Sequence, residues 1–203
     1  KTTTMGKILR LLQEQQPQQP LRVRLCAPTG KAAARMTESL RSLAPPPEGD
    51  PEGGPAAWPR EAATVHRLLG WRPGGAFRHH AGNPLAADVV VLDEASMVDL
   101  ALMHHLVAAI PPGARLIVLG DKDQLASVAA GAVMGDLCDR RGMGVYSEAF
   151  RRRAAALLGL SLDSLPAGCH SFGALVDAVT VLQQSFRFGA ESAIGRFSGA
   201  VNQ

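Results

Sequence analysis

The sequence predicts an α/β fold in three layers with a mainly parallel sheet. Two short apolar runs, Val89–Leu92 and residues 115–119, lack the alternation of a half-exposed strand, which is typical of parallel strands buried on both faces. Segments with apolar residues at helical spacing alternate with these runs, and this order favours right-handed crossovers between parallel strands. At 203 residues, the chain is long enough for one well-buried domain, or for one domain and the beginning of another.

The elements of the first part of the chain follow from apolar spacing and from helix breakers. Residues 2–16 have helical spacing, and the prolines of the Gln-rich stretch that follows end this helix. Residues 21–27 alternate like a strand, residues 28–30 form a turn, and residues 31–43 return to helical spacing. These segments form a strand, loop and helix unit.

Proline and glycine dominate residues 44–59, which have no periodicity. We expect this stretch to be a flexible surface insertion. Residues 63–69 predict a short helix, and residues 71–84 an irregular excursion before the Val89–Leu92 strand.

The second part of the chain continues the alternation. Residues 97–110 have apolar residues at helical spacing, and the sequence Pro-Pro-Gly at 111–113 ends that helix. Residues 115–119 are the next strand. The stretch 140–173 is the least regular and is expected to be helical in part, and residues 179–182 predict one more strand.

Composition excludes several classes of protein. The cysteines, Cys26, Cys138 and Cys169, are odd in number and widely spaced, which argues against a disulfide framework and against a zinc site. No apolar run approaches the roughly 18 residues that cross a bilayer, and the start Lys-Thr-Thr-Thr is not that of a targeting segment. We therefore expect a soluble, cytoplasmic protein without a membrane segment.

Charge is distributed unevenly along the chain, although the net charge is only +3. Residues 22–78 contain nine Lys and Arg against five acids, whereas residues 88–136 contain seven acids against two bases. A basic region for a polyanion beside an acidic region for a metal would explain this distribution. Ordinary solvated helix faces explain it equally well.

Two adjacent acids, Asp93 and Glu94, directly follow the Val89–Leu92 strand. Parallel sheets bind ligands at the carboxyl ends of their strands, so these acids are expected at a site. We expect Asp93 to hold Mg²⁺, often through water, and Glu94 to polarise the water that attacks a γ-phosphate. The alternative is an acid pair favoured by a helix N-terminus, with Ser96 and Asp99 as capping residues.

A second polar segment, Gly-Asp-Lys-Asp-Gln at 120–124, follows the next strand. Its Gln124 is placed to sense a γ-phosphate if the two strands are neighbours, because both strand ends would then open on one crevice. Asp121 and Lys122 fit a surface turn equally well.

Two further segments could bind phosphate or nucleic acid. Thr29 and Lys31 lie where a strand end meets a helix start, a place where backbone amides bind anions, but a tight turn before a solvated basic helix fits as well. Thr64 and His66 lie in Thr-Val-His-Arg-Leu-Leu-Gly and could contact nucleic acid. A lone histidine beside a helix is more often structural.

The two ends of the chain carry the remaining candidate residues. Lys1, Thr2 and Thr3 match the end of a phosphate-binding loop, Gly-x-x-x-x-Gly-Lys-Ser/Thr, which suggests a loop cut through its middle and a fragment of a longer chain. Arg187, in Gln-Ser-Phe-Arg-Phe-Gly, could act as an arginine finger that reaches a γ-phosphate from a second domain.

Together these segments resemble the first motor domain of superfamily 1 DNA helicases, and closely the RecD branch, whose members are alpha subunits of exodeoxyribonuclease V. The resemblance covers nearly the whole chain and rests on six elements in the order of the family. They are Lys-Thr-Thr at 1–3, Ala-Pro-Thr-Gly-Lys-Ala-Ala at 27–33, Thr-Val-His-Arg-Leu-Leu-Gly at 64–70, Asp-Glu-Ala-Ser-Met at 93–97, Leu-Gly-Asp-Lys-Asp-Gln-Leu-Ala-Ser-Val at 119–128 and Gln-Ser-Phe-Arg-Phe-Gly at 184–189. Phe-Arg-His-His at 77–80 and Gly-Ala-Val-Met-Gly-Asp-Leu-Cys at 131–138 favour the RecD branch over its stand-alone relatives.

The resemblance implies a RecA-like P-loop NTPase domain over residues 1–182, without its first strand and most of its phosphate loop, and the start or linker of a second motor domain over residues 183–203. It implies an ATP-driven motor that uses Mg²⁺, moves 5′ to 3′ on single-stranded DNA with the RecB and RecC subunits, and serves double-strand break repair. By motif position, the residues expected to bind ATP are Lys1, Thr2, Thr3, Gln124 and Arg187, and those expected to bind the metal are Thr2 and Asp93. The catalytic residues would be Glu94, Gln124 and Arg187, and the DNA-binding residues Thr29, Lys31, Thr64 and His66.

This chain departs from the family at two places. The glycine half of the phosphate loop is absent, and the sequence stops about where a second motor domain should begin. Translocation needs two domains that open and close on ATP, so we expect this polypeptide alone not to unwind DNA. The alternatives are a non-catalytic DNA-binding or subunit-docking module, and another superfamily 1 helicase, such as a relaxase-type helicase.

Overall fold

A computed structural model describes residues 2–16, 18–43, 61–121, 133–138, 146–166 and 177–182. The chain divides into two compact units, Lys1–Cys138 and Asp139–Gln203. In the first unit the elements are α1 (Thr2–Glu14), β1 (Val23–Ala27), α2 (Gly30–Leu43), β2 (Ala63–Thr64), α3 (Val65–Leu69), β3 (Val89–Leu92), α4 (Leu100–Ala109), β4 (Arg115–Val118) and α5 (Val133–Leu137). The described part of the second unit contains α6 (Glu148–Leu158).

The sheet has four parallel strands in the order β2, β1, β3, β4. Consecutive strands in the chain are therefore joined by crossovers, as the alternation of strands and helices predicts. The neighbours of β3 are β1 and β4, so the two apolar runs of the sequence lie side by side at the centre and edge of the sheet.

Helices cover both faces of this sheet. Met5 and Leu9 of α1 and Met36 and Leu40 of α2 pack in one apolar cluster with Val89 and Val91 of β3. The other cluster contains residues of α3 and α4 together with Val90 and Leu92. Successive β3 side chains thus enter opposite clusters, and all four are fully buried. The predicted three-layer α/β fold with a parallel sheet is confirmed.

An ion pair fixes the starts of the two central strands. The Asp88 carboxylate accepts hydrogen bonds from the backbone N–H of Arg22 at 2.8 Å and from its guanidinium at 2.7 and 3.0 Å. These bonds from Arg22 lower the pKa of Asp88 to about 2, and Asp88 raises the pKa of Arg22. The pair lies at the amino edge of the sheet, opposite the strand ends that carry the candidate site.

Three sequence-based element predictions need correction. Of the predicted 63–69 helix, the first two residues pair with β1 as β2, and only Val65–Leu69 is helical. The predicted 97–110 helix is broken, because a 3₁₀ turn at Ala95–Met97 is followed by extended residues Val98 and Asp99 before α4 begins. Residues 179–182, predicted as a strand, have no strand pairing.

The second unit is held by side-chain capping. Ser147 caps the N-terminus of α6 by accepting from the N–H of Phe150, and Asp177 accepts from both the N–H and the hydroxyl of Ser147 at 2.6 Å. Tyr146 donates its hydroxyl to Thr180 at 3.2 Å. Thr180 therefore accepts a side-chain hydrogen bond and is not part of a strand.

Other predictions lie outside the described residues. The 44–59 insertion and residues 183–203 belong to this group, so the division into 1–182 and 183–203 stays a prediction. Within the ranges that the structure describes, no helix is both long and apolar enough to cross a membrane.

Candidate functional site

The carboxyl edge of the sheet brings the predicted site residues together. In the register of the sheet, Cys26 is paired with Leu92 and Leu92 with Val118, so β1, β3 and β4 end at the same level. Ala27 is paired with Thr64, which places the end of β2 at this level too. The segments that follow these strand ends therefore share one edge, as expected for a ligand crevice in an open parallel sheet.

The Asp93–Glu94 pair is held between its two neighbouring strands. The N–H of Asp93 donates to the carbonyl of Cys26 at 2.9 Å, and the N–H of Ala95 donates to the carbonyl of Leu119 at 3.0 Å. The Asp93 carboxylate accepts from the N–H of Glu94 at 2.8 Å. The two acids are thus fixed on both sides at the centre of the edge, where each is half-buried.

Glu94 has a left-handed backbone, with φ 52° and ψ 41°. Glutamate rarely adopts this conformation, which costs on the order of 1 kcal/mol or more and persists only where the surroundings enforce it. The Oε2 atom of Glu94 is buried. Strained backbone and a buried carboxylate oxygen are typical of a functional position.

The acid pair does not cap α4, although Glu94 occupies the N-cap position of the 3₁₀ turn Ala95–Met97. Asp99 caps α4 by accepting from the N–H of Leu102 at 2.7 Å, so that helix begins well after Glu94. The side chain of Glu94 makes no capping hydrogen bond to the 3₁₀ turn that follows it. Ser96 is buried within this turn. Of Ser96 and Asp99, which the sequence offered as capping residues, Asp99 caps a helix.

Carboxylate oxygens at this edge fit Mg²⁺. Magnesium is usually bound through one or two carboxylates, with waters and substrate phosphates as the other ligands. The Asp93 carboxylate fits one such ligand, and Glu94 lies beside it. Among the described residues, no group of three or more His, Cys, Asp or Glu is arranged to hold a metal ion.

Thr29 and Lys31 lie where β1 leads into α2. The Thr29 hydroxyl accepts from the N–H of Ala32 at 3.2 Å, and its carbonyl accepts from the N–H of Ala33 at 3.0 Å, so Thr29 acts as a cap of α2. Thr29 and Lys31 are both exposed. Thr29 therefore caps the helix, and Lys31 is accessible to an anion. The geometry fits both a capped turn before a solvated helix and a phosphate-binding site.

Thr64 and His66 are placed at the start of α3. The Thr64 hydroxyl accepts from the N–H of Arg67 at 3.2 Å and caps the helix. The ring of His66 lies 5.9 Å from that of Phe77, which in turn lies 4.9 Å from the ring of His105. This ring contact fits a structural role for His66, and the exposure of the residue fits a contact with nucleic acid equally well.

The N-terminus of α1 points to the same edge. The side chain of Gln13, near the end of α1, accepts from the N–H of Leu21 at 3.0 Å, just before β1 starts. Because a 13-residue helix is about 20 Å long, its first turn then lies toward the carboxyl edge of the sheet. Thr3 is exposed in that turn. Lys1, Gln124 and Arg187, and the side chain of Thr2, lie outside the described residues.

The sequence did not single out α5 as part of this edge. The helix packs against the Ala95–Met97 turn, and its Met134 lies over Gly120 at the end of β4. Five residues are too few to show helical periodicity, so no local signal predicts the helix. The sequence feature that marks this part of the chain is the motif Gly-Ala-Val-Met-Gly-Asp-Leu-Cys at 131–138.

Comparison with known families gives one match. A family model described as an AAA domain matches residues 1–130, which include α1, the whole sheet and the acid pair.

Individual proteins are also similar to this chain in sequence. The RecBCD enzyme subunit RecD of Mycobacterium tuberculosis (strain CDC 1551 / Oshkosh) is 42% identical over 179 residues, covering 83% of this chain and 30% of that protein. The subunit of the same name from Haemophilus influenzae is 37% identical over 202 residues, covering 98% of this chain and 31% of that protein. The ATP-dependent RecD2 DNA helicase of Deinococcus radiodurans is 48% identical over 111 residues, covering 55% of this chain and 13% of that protein. The chain spans 30% and 31% of the length of the two RecD relatives.

Proposed function

The chain belongs to the AAA domain family, and from this membership we propose that it forms most of the first motor domain of an ATP-dependent DNA helicase. The whole protein would be the helicase subunit of an exodeoxyribonuclease V, working with RecB and RecC. It would move 5′ to 3′ on single-stranded DNA in double-strand break repair and recombination. The similarity to relatives named RecBCD enzyme subunit RecD and ATP-dependent RecD2 DNA helicase supports this assignment.

The single observation that carries the proposal is the fixed acid pair at the carboxyl edge of the sheet. Asp93 is the carboxylate that would hold Mg²⁺, with Thr2 as the second protein ligand. When bound, Mg²⁺ would neutralise charge on the phosphates of ATP. Glu94 would accept a hydrogen bond from the attacking water and draw off its proton, and the backbone bonds of Asp93 and Ala95 fix the main chain on either side of it.

The remaining nucleotide contacts are assigned by motif position. Lys1, Thr2 and Thr3 would bind the ATP phosphates at the start of α1, which lies toward the same edge. Gln124, downstream of β4, would sense the γ-phosphate, and Arg187 would stabilise charge on it from the second motor domain. Because hydrolysis and movement need both domains, we propose that this polypeptide alone does not unwind DNA.

Replacement of Glu94 tests the catalytic assignment. In the full-length protein, we expect Glu94→Gln to lower single-strand-stimulated ATP hydrolysis by roughly 10²- to 10⁴-fold, since the amide cannot take a proton. Nucleotide binding should persist because the side-chain shape is kept. Steady-state phosphate release measures the effect, and Glu38→Gln, an exposed change on α2, is the control. Equal hydrolysis by wild type and Glu94→Gln would refute the role of Glu94.

Replacement of Lys31 tests the DNA-binding assignment. We expect Lys31→Ala to weaken single-stranded DNA binding at all sequences and to reduce the slope of log affinity against log salt by about 0.7, the loss of one phosphate contact. Fluorescence anisotropy at several salt concentrations measures the slope. Lys7→Ala, an exposed lysine of α1, is the matched control. An unchanged slope would return Lys31 to the role of a solvated helix residue.

A stand-alone helicase is the second candidate. It is favoured by the 48% identity to the Deinococcus radiodurans protein, although that match covers only 55% of this chain. The mass of the native assembly distinguishes the two. A complex with two larger subunits supports the exodeoxyribonuclease assignment, and an active single polypeptide supports the stand-alone one.

A further inference from the structure

Met134 of α5 makes a close contact with the end of β4. A β-carbon at Gly120 would lie 3.3 Å from Cγ, Sδ and Cε of Met134, which is tighter than ordinary van der Waals contact. The side chain of Met134 therefore lies directly against the backbone of Gly120. A flexible, unbranched thioether is well suited to fill such an irregular gap.

The same helix contacts the segment that follows the catalytic acid. α5 packs against the 3₁₀ turn Ala95–Met97. Val133 and Met134 both pack against the apolar cluster that contains Ala95 and Val98, two residues that are completely or almost completely buried. Met134 thus contacts Gly120 and packs on the apolar cluster to which Ala95 and Val98 belong, and it does so from a helix that packs against the turn after Glu94.

A hydrogen bond joins the turn after Glu94 to the segment after β4. The N–H of Ala95, in the turn, donates to the carbonyl of Leu119, next to Gly120, at 3.0 Å. Glu94 precedes Ala95 and has φ 52°, a backbone that a glutamate adopts only when its surroundings enforce it. Packing beside this connection is one means by which the surroundings hold Glu94 in that conformation.

We propose that Met134 is a positioning residue for Glu94: by packing against the backbone at Gly120 and against the apolar cluster that contains Ala95, it helps to hold the backbone that carries the water-activating carboxylate. The proposal rests on the proposed function for the role of Glu94, but the contact itself does not. Met134 carries no acidic or basic group, so it would act only through packing. A β-carbon at Gly120 would require Met134 to shift by a few tenths of an ångström.

The first experiment tests the contact in this chain without any activity. Gly120→Ala crowds Met134, and Met134→Ala leaves a gap, so each single change should lower the midpoint of urea denaturation. In the double variant, the new β-carbon occupies space that Met134 vacates, and the loss should be smaller than the sum of the two. Additive losses would overturn the contact and with it the proposal.

The second experiment tests positioning in the full-length protein. We expect Met134→Ala to lower kcat for ATP hydrolysis by about 10-fold and to change KM for ATP by less than about 2-fold, since misplacing a catalytic group affects the chemical step more than binding. Met134→Leu, which restores an apolar side chain of similar volume, should recover most of the loss. Leu137→Ala, an exposed change on the same helix, is the control.

The outcomes separate the two proposals. If wild-type protein hydrolyses ATP and Met134→Ala leaves kcat unchanged, Met134 only packs and the positioning role is wrong. A stability loss in Met134→Ala that lowers kcat and is not rescued by Met134→Leu also overturns it. If wild-type full-length protein shows no hydrolysis, the proposed function fails and the positioning role falls with it, whereas non-additivity in the first experiment still establishes the contact.

Discussion

Asp88 lies directly before β3 and forms an ion pair with Arg22, directly before β1. The carboxylate accepts one backbone and two guanidinium hydrogen bonds, which stabilise its ionised form and lower its pKa to about 2. The pair joins residues 66 positions apart at the amino edge of the sheet. It therefore fixes the relative level of the two strands that carry the Cys26 carbonyl and the acid pair.

The pH dependence of stability should show this pair. Because the pKa of Asp88 is below its ordinary value near 3.8, its contribution is full above that value and is lost as the pH falls toward about 2. We expect Asp88→Asn to reduce the free energy of unfolding modestly at pH 7 and to have a much smaller effect near pH 2, where the carboxylate becomes protonated in the folded state too. Urea denaturation at a series of pH values measures the difference. Glu14→Gln, which removes the exposed Arg10–Glu14 pair, is the control, and an equal effect of Asp88→Asn at both pH values would contradict the prediction.

At this scale, the sequence predicted which residues meet but not how each is held. Two carboxylates after a buried strand and a polar segment after the next one were enough to predict that Asp93 and Glu94 share an edge with Gly120 and Asp121. Their fixation could not be predicted, because the bonds to Cys26 and Leu119 come from strands distant in the chain. The left-handed backbone at Glu94 was also not predictable, since glutamate has no local preference for it.

Among the elements, α2 has a second function as the anchor for the chain where it returns to the sheet. The buried hydroxyl of Thr37 donates to the carbonyl of Ala33 at 3.0 Å and accepts from the N–H of Ala62 at 2.9 Å. Ala62 is itself buried directly before β2. This bond sets where β2 begins, whatever the length of the segment between the two residues.

Replacing Thr37 tests this anchor. Thr37→Val keeps the shape but leaves the buried N–H of Ala62 without its acceptor, so we expect the free energy of unfolding to fall by about 1–3 kcal/mol. Thr37→Ser keeps the hydroxyl and should recover the larger part of this loss. Chemical denaturation followed by circular dichroism provides the measurement. A loss in the serine variant with none in the valine variant would show that packing of the methyl group, and not the hydrogen bond, matters here.

Elements with a strong local pattern were predicted well, and those that depend on distant partners were not. α1, α2 and β3 follow directly from their apolar spacing. The helix predicted over 97–110 begins only at Leu100. Val98 is buried and continues the apolar spacing, but its backbone is extended and not helical. The strand predicted over 179–182 is not formed, since a strand needs a pairing partner that its own sequence does not reveal.

For the molecule as a whole, both apolar clusters lie within the first unit. Every residue of the two clusters precedes residue 139, and the clusters include members of α1 to α5. The order of the four strands could be predicted only in part, because the alternation of strands and helices gives parallel pairing but not which strand lies at the edge. Among the described residues, the members of both clusters all come from the first unit, so we expect its core to form without the second.

A shortened chain tests this independence. We expect a polypeptide that ends at Cys138 to unfold in one cooperative transition, because both clusters and the whole sheet are retained. Both tryptophans precede residue 139, so their fluorescence follows this unit in the short and the full chain alike. Urea titration by fluorescence and circular dichroism provides two probes. Transitions that differ between the probes, or a broad loss of signal without a midpoint, would contradict the prediction.

The left-handed residue at position 94 has a consequence for protein engineering. A redesign of this chain for thermal stability alone would favour glycine or asparagine there, because both tolerate the conformation at lower cost than glutamate. Such a redesign would raise the melting temperature and remove the carboxylate in a single substitution. Stability screens of this chain should therefore hold residue 94 constant, and a library selected only for heat resistance would accumulate variants that lack the carboxylate proposed to activate water.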